Sequence, residues 1–252
     1  MTPRPTRAAA TAAPETDVPH AFFKHPRHSR VSFNNAALTF RAKGVGRISG
    51  LKRWLDATFV PPAAEFASYG DRTERRTRDV RCNGAGAEHG KLVDTQLQAW
   101  AAGRGLENAD PCAARIARAI RHLDLRPLAT QVMVYDERAG WATAVDMIAA
   151  DKNNRLVALE FKTTRYPTTY SRQVHGKYFR GPLKNMPYSV WAHHQLQLAA
   201  PVVALHELYA TDVAAAYVLL AYPPNAVDVF PLQPIFMRAI QRRPARAECA
   251  AT

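Results

Sequence analysis

Two runs decide the reading of this chain: Trp141-Ala142-Thr143-Ala144-Val145-Asp146 and, after a polar gap, Leu156-Val157-Ala158-Leu159-Glu160-Phe161-Lys162. Each is a short apolar stretch that ends on charge. Burying unpaired charge costs on the order of several kcal/mol, so such groups call for a ligand. Two carboxylates and a lysine suit a divalent cation and a phosphate. The gap, Asp151-Lys152-Asn153-Asn154-Arg155, is rich in turn formers, so the runs read as a β-hairpin. With Lys152, Asn153 and Asn154 as the loop, Asp151 pairs with Arg155 and the count places Asp146 opposite Glu160. Facing residues of an antiparallel pair have Cβ atoms about 5 Å apart, within reach of one cation. A two-residue loop would instead set Asp146 opposite Phe161. Alternation puts Glu160 and Lys162 on one face with Ala158, and Phe161 on the other with Val157 and Leu159. Asp146 shares its face with Ala142, Ala144 and Ile148, and the alanines leave room for a ligand. The plain alternative is a solvated strand edge or a cross-strand salt bridge.

Outward from the hairpin, composition sets limits. The 252 residues suffice for one substantial domain with appendages or two small ones, and 47% hydrophobic content supports a packed core. A net charge of +13 and a pI near 10.0 favour an anionic partner, of which nucleic acid is the usual one. No apolar stretch is long enough to span a bilayer. Cys82, Cys112 and Cys249 are scattered and odd in number, which fits neither a disulfide framework nor a zinc pattern and points to a reducing, intracellular compartment. The adjacent His193-His194 pair lacks helical ligand spacing and reads as surface or supporting groups.

Residues 1–30 are rich in Pro, Ala, Thr and Arg and read as a disordered basic arm, with a faint transit-peptide character that Glu15 and Asp17 oppose. Residues 31–85 read as a helical and loop extension, with a short helix capped at Ser49 and a charged loop over 71–81. Residues 86–243 hold the core, and 244–252 form a loose tail. Within the core, 88–102 is an amphipathic helix with Val93, Leu97 and Trp100 on its stripe, ended by Gly103 or Gly105. Asp94 sits at the edge of that stripe. A second helix over 111–122 and a strand over 128–135 precede the hairpin. Between 165 and 188, tyrosines interleave with Arg165, Arg172, Lys177 and Lys184, a mixture that suits nucleic acid or an ordinary long loop. A helix over 189–209 carries Gln195 on its apolar stripe and should kink or split at Pro201; strands over 214–222 and 227–232 and a helix over 235–241 follow.

Helices, three strands, a helix and two more strands make an α/β sheet flanked by helices. In that setting, Asp146 followed by Glu160-Phe161-Lys162 resembles the signature of the PD-(D/E)XK nuclease superfamily. His89-Gly90-Lys91-Leu92-Val93-Asp94 resembles the first-helix motif of its phage lambda exonuclease-like (YqaJ-type) branch, and Ala192-His193-His194-Gln195-Leu196-Gln197 resembles that branch's Gln-x-Gln helix. The resemblance spans about residues 86–222 in the expected order. It departs in having Asp94 where glutamate is common, Val145 where proline can precede the aspartate, and Pro201 inside the last helix.

The resemblance implies a restriction-endonuclease-like core with a mixed central sheet and metal-dependent hydrolysis of phosphodiester bonds. Asp146, Glu160 and the Phe161 carbonyl would hold Mg²⁺ or Mn²⁺, with Asp94 reaching the same centre. Lys162 would orient the attacking water, help deprotonate it and stabilise charge on the phosphate. Gln195 would position these groups, with Gln197 the weaker choice. Lys43, Arg47 and Ser49 would meet a DNA end. The expected activity is an exonuclease on linear DNA in recombination, repair or viral and phage DNA processing, in a nucleus, a virus-infected cell or a mitochondrion. No membrane partner is expected, and a homo-oligomer or a recombination partner is compatible with the resemblance. A structure-specific endonuclease or a non-catalytic nucleic-acid-binding protein on the same fold is the rival.

Overall fold

The computed structural model describes Phe22 and residues 25–34, 39–60, 72–165, 167–172, 176–223 and 226–242, with side chains from 86 onward in the helix that begins at Arg72. Its centre is a mixed sheet of eight strands. Strands β1 (Val31–Asn34), β2 (Thr39–Ala42) and β3 (Gly46–Gly50) form an antiparallel meander, followed by helix α1 (Leu51–Phe59). Helices α2 (Arg72–Ala101) and α3 (Pro111–His122) lead into β4 (Arg126–Asp136), β5 (Trp141–Ala150) and β6 (Leu156–Thr163). Helix α4 (Val190–Leu208), strands β7 (Val213–Tyr222) and β8 (Ala226–Pro231) and helix α5 (Pro234–Gln241) complete the chain.

Local chemistry explains the boundaries. Asp110 caps α3 by accepting the Cys112 N–H at 2.8 Å, with Pro111 in the first turn, where its missing N–H costs nothing. Gly103 takes a positive φ of 84° and ends α2. Asn154 adopts a φ of 59° in the three-residue loop between β5 and β6, and the Asp151 N–H donates to the Arg155 carbonyl at 2.9 Å across it. The hairpin register follows: Met147 faces Leu159, Ile148 faces Ala158, Ala149 faces Val157 and Ala150 faces Leu156. β6 and β7 are parallel and therefore need a crossover, which α4 supplies.

Two apolar layers sandwich the sheet. On one face Leu51, Leu55 and Phe59 of α1, the buried side of α4 and Phe236 and Ile240 of α5 pack with Ile148 and Ala158. On the other, Val93 and Leu97 of α2 and Ile116 and Ile120 of α3 pack on Met147, Val157, Leu159 and Phe161. The opposite faces expected for Ala158 and Phe161 are thus observed.

Four expectations need correction. In place of a helical and loop extension, Val31–Asn34, Thr39–Ala42 and Gly46–Gly50 are strands of the same sheet, joined where Ser49 and Gly50 pair in parallel with Trp141 and Ala142. Gly50, not Ser49, stands at the N-terminal cap of α1. The charged stretch after residue 71 is the start of the 30-residue α2, not a loop. The arm is anchored at its end: Phe22 is buried, Arg27 pairs with Glu137 at 2.6 Å, and the His25 and His28 rings lie on Tyr209. Residues 1–21 and the tail at 244–252 lie outside the described residues. Pro201 removes one hydrogen bond from α4, yet the helix runs through it, because the residues from Leu198 to Leu205 are all buried against the sheet.

Candidate active site

The site lies in a gap along one edge of β5. Trp141 and Ala142 on that edge pair with β3, and Met147 to Ala150 pair with β6. Residues 143–146 have no strand partner there. Continuing the hairpin count would set Asp146 opposite Glu160, but pairing stops one rung short. Instead the Asp146 carboxylate reaches across and accepts the Phe161 N–H at 2.7 Å, replacing a backbone rung with a side chain. The N–H and C=O of one strand residue point the same way, so the Phe161 carbonyl points to the same, β5 side of β6. Across Asp146 the alternation breaks: Val145 packs in one apolar layer together with Ile148, whereas Met147 packs in the other.

Three elements deliver carboxylates to this gap: α2 gives Asp94, β5 gives Asp146 and β6 gives Glu160. Lys162 donates to Glu160 Oε1 at 2.5 Å, and Gln197 Nε2 donates to the same oxygen at 2.7 Å. Asp94 accepts from Gln98 at 2.8 Å and from Gln131 at 3.1 and 3.2 Å, and the same Gln131 nitrogen lies 3.5 Å from Asp146. Burial, followed by the charge of Asp146, pushes Asp94 up to about 6 and Glu160 up to about 7. Burial likewise raises Asp146, against the pull of Lys162. For Lys162, burial works against the charge, but Glu160, Asp146 and Asp94 outweigh it and raise its pKa. Three carboxylates around one ammonium leave an excess of negative charge in a buried place, and their all-oxygen donor set fits a hard divalent cation.

Of the residues expected here, Asp94, Asp146, Glu160, Phe161 and Lys162 come together. Gln195 does not. It is fully buried, its Oε1 accepts the Gln233 N–H at the start of α5 at 2.9 Å, and its Nε2 finds no hydrogen-bond partner among the described residues. Residues two apart on a helix point about 200° away from each other, so only one of the two glutamines can meet Glu160, and it is Gln197.

Lys43, Arg47 and Ser49 are exposed on the β2–β3 hairpin, where Arg41 faces Arg47 across the strands. Ser49 faces Trp141, five residues and roughly 17 Å along β5 from Asp146, so this group is separate from the carboxylates. In the passage after β6, Arg165, Arg172 and Lys184 are exposed and Lys177 is half-buried. The rings mostly face inward: Tyr170 and Phe179 are buried, and Tyr178 is exposed. Tyr170 bonds His194 at 2.9 Å beside the site; burial and the Glu160 charge raise its pKa, while burial and Lys162 drive His194 well below its usual value. His193 is buried and pairs with Asp56 at 3.1 Å, whereas His194 is half-buried, so the pair are supporting groups, His193 from within the structure.

Gln131 and Gln98 carry no signal in the sequence pattern. A count from the β4–β5 turn, where Asp136 faces Trp141, sets Gln131 opposite Asp146 once that turn is known. A second cluster was hidden for a similar reason: His89, Asp110 and Cys112 come from two helices, and their ligand atoms lie within 4.8 Å of one another, close enough to hold a metal ion. There Asp110 already caps α3 and bonds His89 at 3.0 Å. Cys112 is free and buried.

No family model and no curated protein matches the chain. Among solved structures, one described as SSO0001 matches over 50% of this chain and 53% of its own length, at 14% identity and a TM-score of 0.25. So loose a superposition carries no argument. The class defined by the coordinates themselves is a mixed α/β protein with helices on both faces of an eight-stranded sheet. Among the described residues, no helix is long and apolar enough to cross a membrane.

Proposed function

We propose that the chain is a divalent-metal-dependent deoxyribonuclease with a PD-(D/E)XK core, acting as an exonuclease on linear DNA. One observation carries this reading: three carboxylates from three elements, Glu160 buried and Asp94 and Asp146 half-buried, converge on one lysine at the unpaired stretch of β5. Asp146, Glu160, the Phe161 carbonyl and Asp94 would hold Mg²⁺ or Mn²⁺. The cation supplies Lewis-acid stabilisation of the phosphate and a more acidic water.

The protein's own groups do the rest. Lys162 stays charged beside Glu160, so it acts as a donor that orients the attacking water and neutralises charge growing on the phosphate. Gln197 fixes the Glu160 carboxylate from α4 and leaves its second oxygen for the cation. The facing Arg41 and Arg47 are like charges directly opposite each other, an arrangement that an anionic backbone relieves. The net charge of +13 supports the same partner.

The test is digestion of linear and circular duplex DNA by the full chain with Mg²⁺, Mn²⁺ or EDTA. Metal-dependent loss of linear DNA with the circle intact supports an exonuclease. Cutting of the circle makes it an endonuclease, and DNA binding with no cleavage in either metal overturns the reading.

A further inference from the structure

The least ordinary residue near the carboxylates is Gln131. The pairs Thr130 with Met147 and Val132 with Val145 bracket it, so Gln131 faces Asp146 in a stretch, from Ala129 to Asp136, where the register is constant; the ladder shifts only further back, between Pro127 and Ala129. Yet its φ is 53°, in the left-handed region that a side-chain-bearing residue seldom adopts inside a strand. A left-handed residue usually marks an extra residue in one strand; here the count is unbroken on both sides. The same turn of the chain coincides with the break in alternation across Asp146, between Val145 and Met147.

The side chain spans two elements. Its Nε2 lies 3.1 Å and 3.2 Å from the two oxygens of Asp94 on α2, and 3.5 Å from Oδ1 of Asp146 on β5. Without it, two like charges would face each other, and the half-exposed Asp94 would be free to turn outward. Gln98 holds only Asp94, and the Phe161 N–H holds only Asp146. Gln131 is the described side chain that bonds both.

We infer that Gln131 is a positioning residue that ties Asp94 to Asp146 as one pair of cation ligands. The inference rests on the metal-centre reading above but concerns metal affinity, independently of DNA cleavage. The strained backbone at Gln131 aims the amide between the two carboxylates. Ligand-orienting partners of this kind change metal affinity about 10–100-fold when removed.

The test is calorimetric titration of the EDTA-treated full chain with Mn²⁺ in the absence of DNA. It compares wild type, Gln131→Gly (which keeps the left-handed backbone accessible), Gln131→Leu, Asp94→Asn and the double variant Gln131→Gly with Asp94→Asn. Thermal melts accompany each titration to show that the variants are folded. Both Gln131 variants should bind Mn²⁺ at least tenfold more weakly than wild type. In the Asp94→Asn background, Gln131→Gly should add less than about threefold, because the anionic ligand that Gln131 ties to Asp146 is already gone. Unchanged or tighter affinity in Gln131→Gly, or a full additional loss in the double variant, overturns the inference. If wild type cleaves DNA with Mn²⁺ while Gln131→Gly keeps its affinity, this inference alone fails. If the affinities behave as stated but no DNA is cut, the nuclease reading fails and the positioning role stands.

Discussion

The two ends of the β5–β6 hairpin are built from similar residues and behave as opposites. At the closed end, Asp151, Asn154 and Arg155 satisfy one another: the Asp151 carboxylate accepts the Asn153 and Arg155 N–H groups at 2.9 and 2.8 Å and pairs with the Arg155 guanidinium at 2.8 Å, in solvent. At the open end, Asp146, Glu160 and Lys162 are crowded in a largely buried gap, Glu160 buried and the others half-buried, with Asp94 added from a helix, and their charges do not cancel. Exposed ion pairs contribute little, whereas uncompensated buried charge is costly. A protein keeps the costly arrangement where a ligand repays it, and that contrast separates a turn from a site.

The sharpest way to break the contrast is to remove charge at each end. Glu160→Ala and Lys162→Ala should each lower DNA cleavage by at least about 10³-fold in initial-rate assays, with circular dichroism unchanged. Removing the closed-end pair through Arg155→Ala should leave the rate per folded molecule within about twofold of wild type.

Stability against pH should divide the ends next. Asp94 and Glu160 have folded pKa values raised to about 6 and about 7. Raised carboxylate values mean that the folded state holds protons which the unfolded chain has released, so the metal-free protein is most stable below about pH 4 with respect to these groups. It then loses that stability as pH rises to about 7. Thermal melts in EDTA should therefore drop by roughly 5–10 °C across that window, and Mn²⁺ should reverse the drop. Glu160→Gln should flatten the curve in EDTA. An increase in melting temperature over the same window would contradict the electrostatic account.

A smaller effect separates the two glutamines of α4. Gln197→Leu frees the Glu160 carboxylate and should lower the cleavage rate about tenfold with little loss of stability. Gln195→Leu leaves the Gln233 N–H without its acceptor and should cost about 1–2 kcal/mol of stability in urea melts, with the rate unchanged. The opposite assignment would restore Gln195 to the site. Smallest of all, Asn154→Val should cost about 1 kcal/mol, because a β-branched residue resists the left-handed region, while Asn154→Gly should be close to neutral.

What the sequence disclosed follows the same division. The hairpin register was legible because Asp151, Asn153 and Asn154 carry turn chemistry and because an error of one residue would have put Phe161 on the wrong face. The strands and helices after residue 110 were legible from caps and alternation. The short strands β1 to β3 were not: their turn at Gly44 and Gly46 (φ 85° and 87°) interrupts a basic stretch with little apolar pattern, and their place is set by pairing with β5, 92 residues later. Within the site, Asp94, Asp146, Glu160 and Lys162 were legible by type and spacing. Gln197 was not separable from Gln195, because which face of α4 meets Glu160 depends on how the helix is rotated against the sheet. Gln131 had no signal, since a left-handed strand residue is a product of tertiary contacts.

The central claim is that the open end of the hairpin is a metal centre that cuts DNA. It is tested most directly by incubating end-labelled linear DNA with the wild-type chain and Lys162→Ala, each in Mg²⁺ and in EDTA. The account predicts release of label by wild type in Mg²⁺ and by neither protein in the other conditions. Equal release by the two proteins, or release by wild type that persists in EDTA, would contradict it.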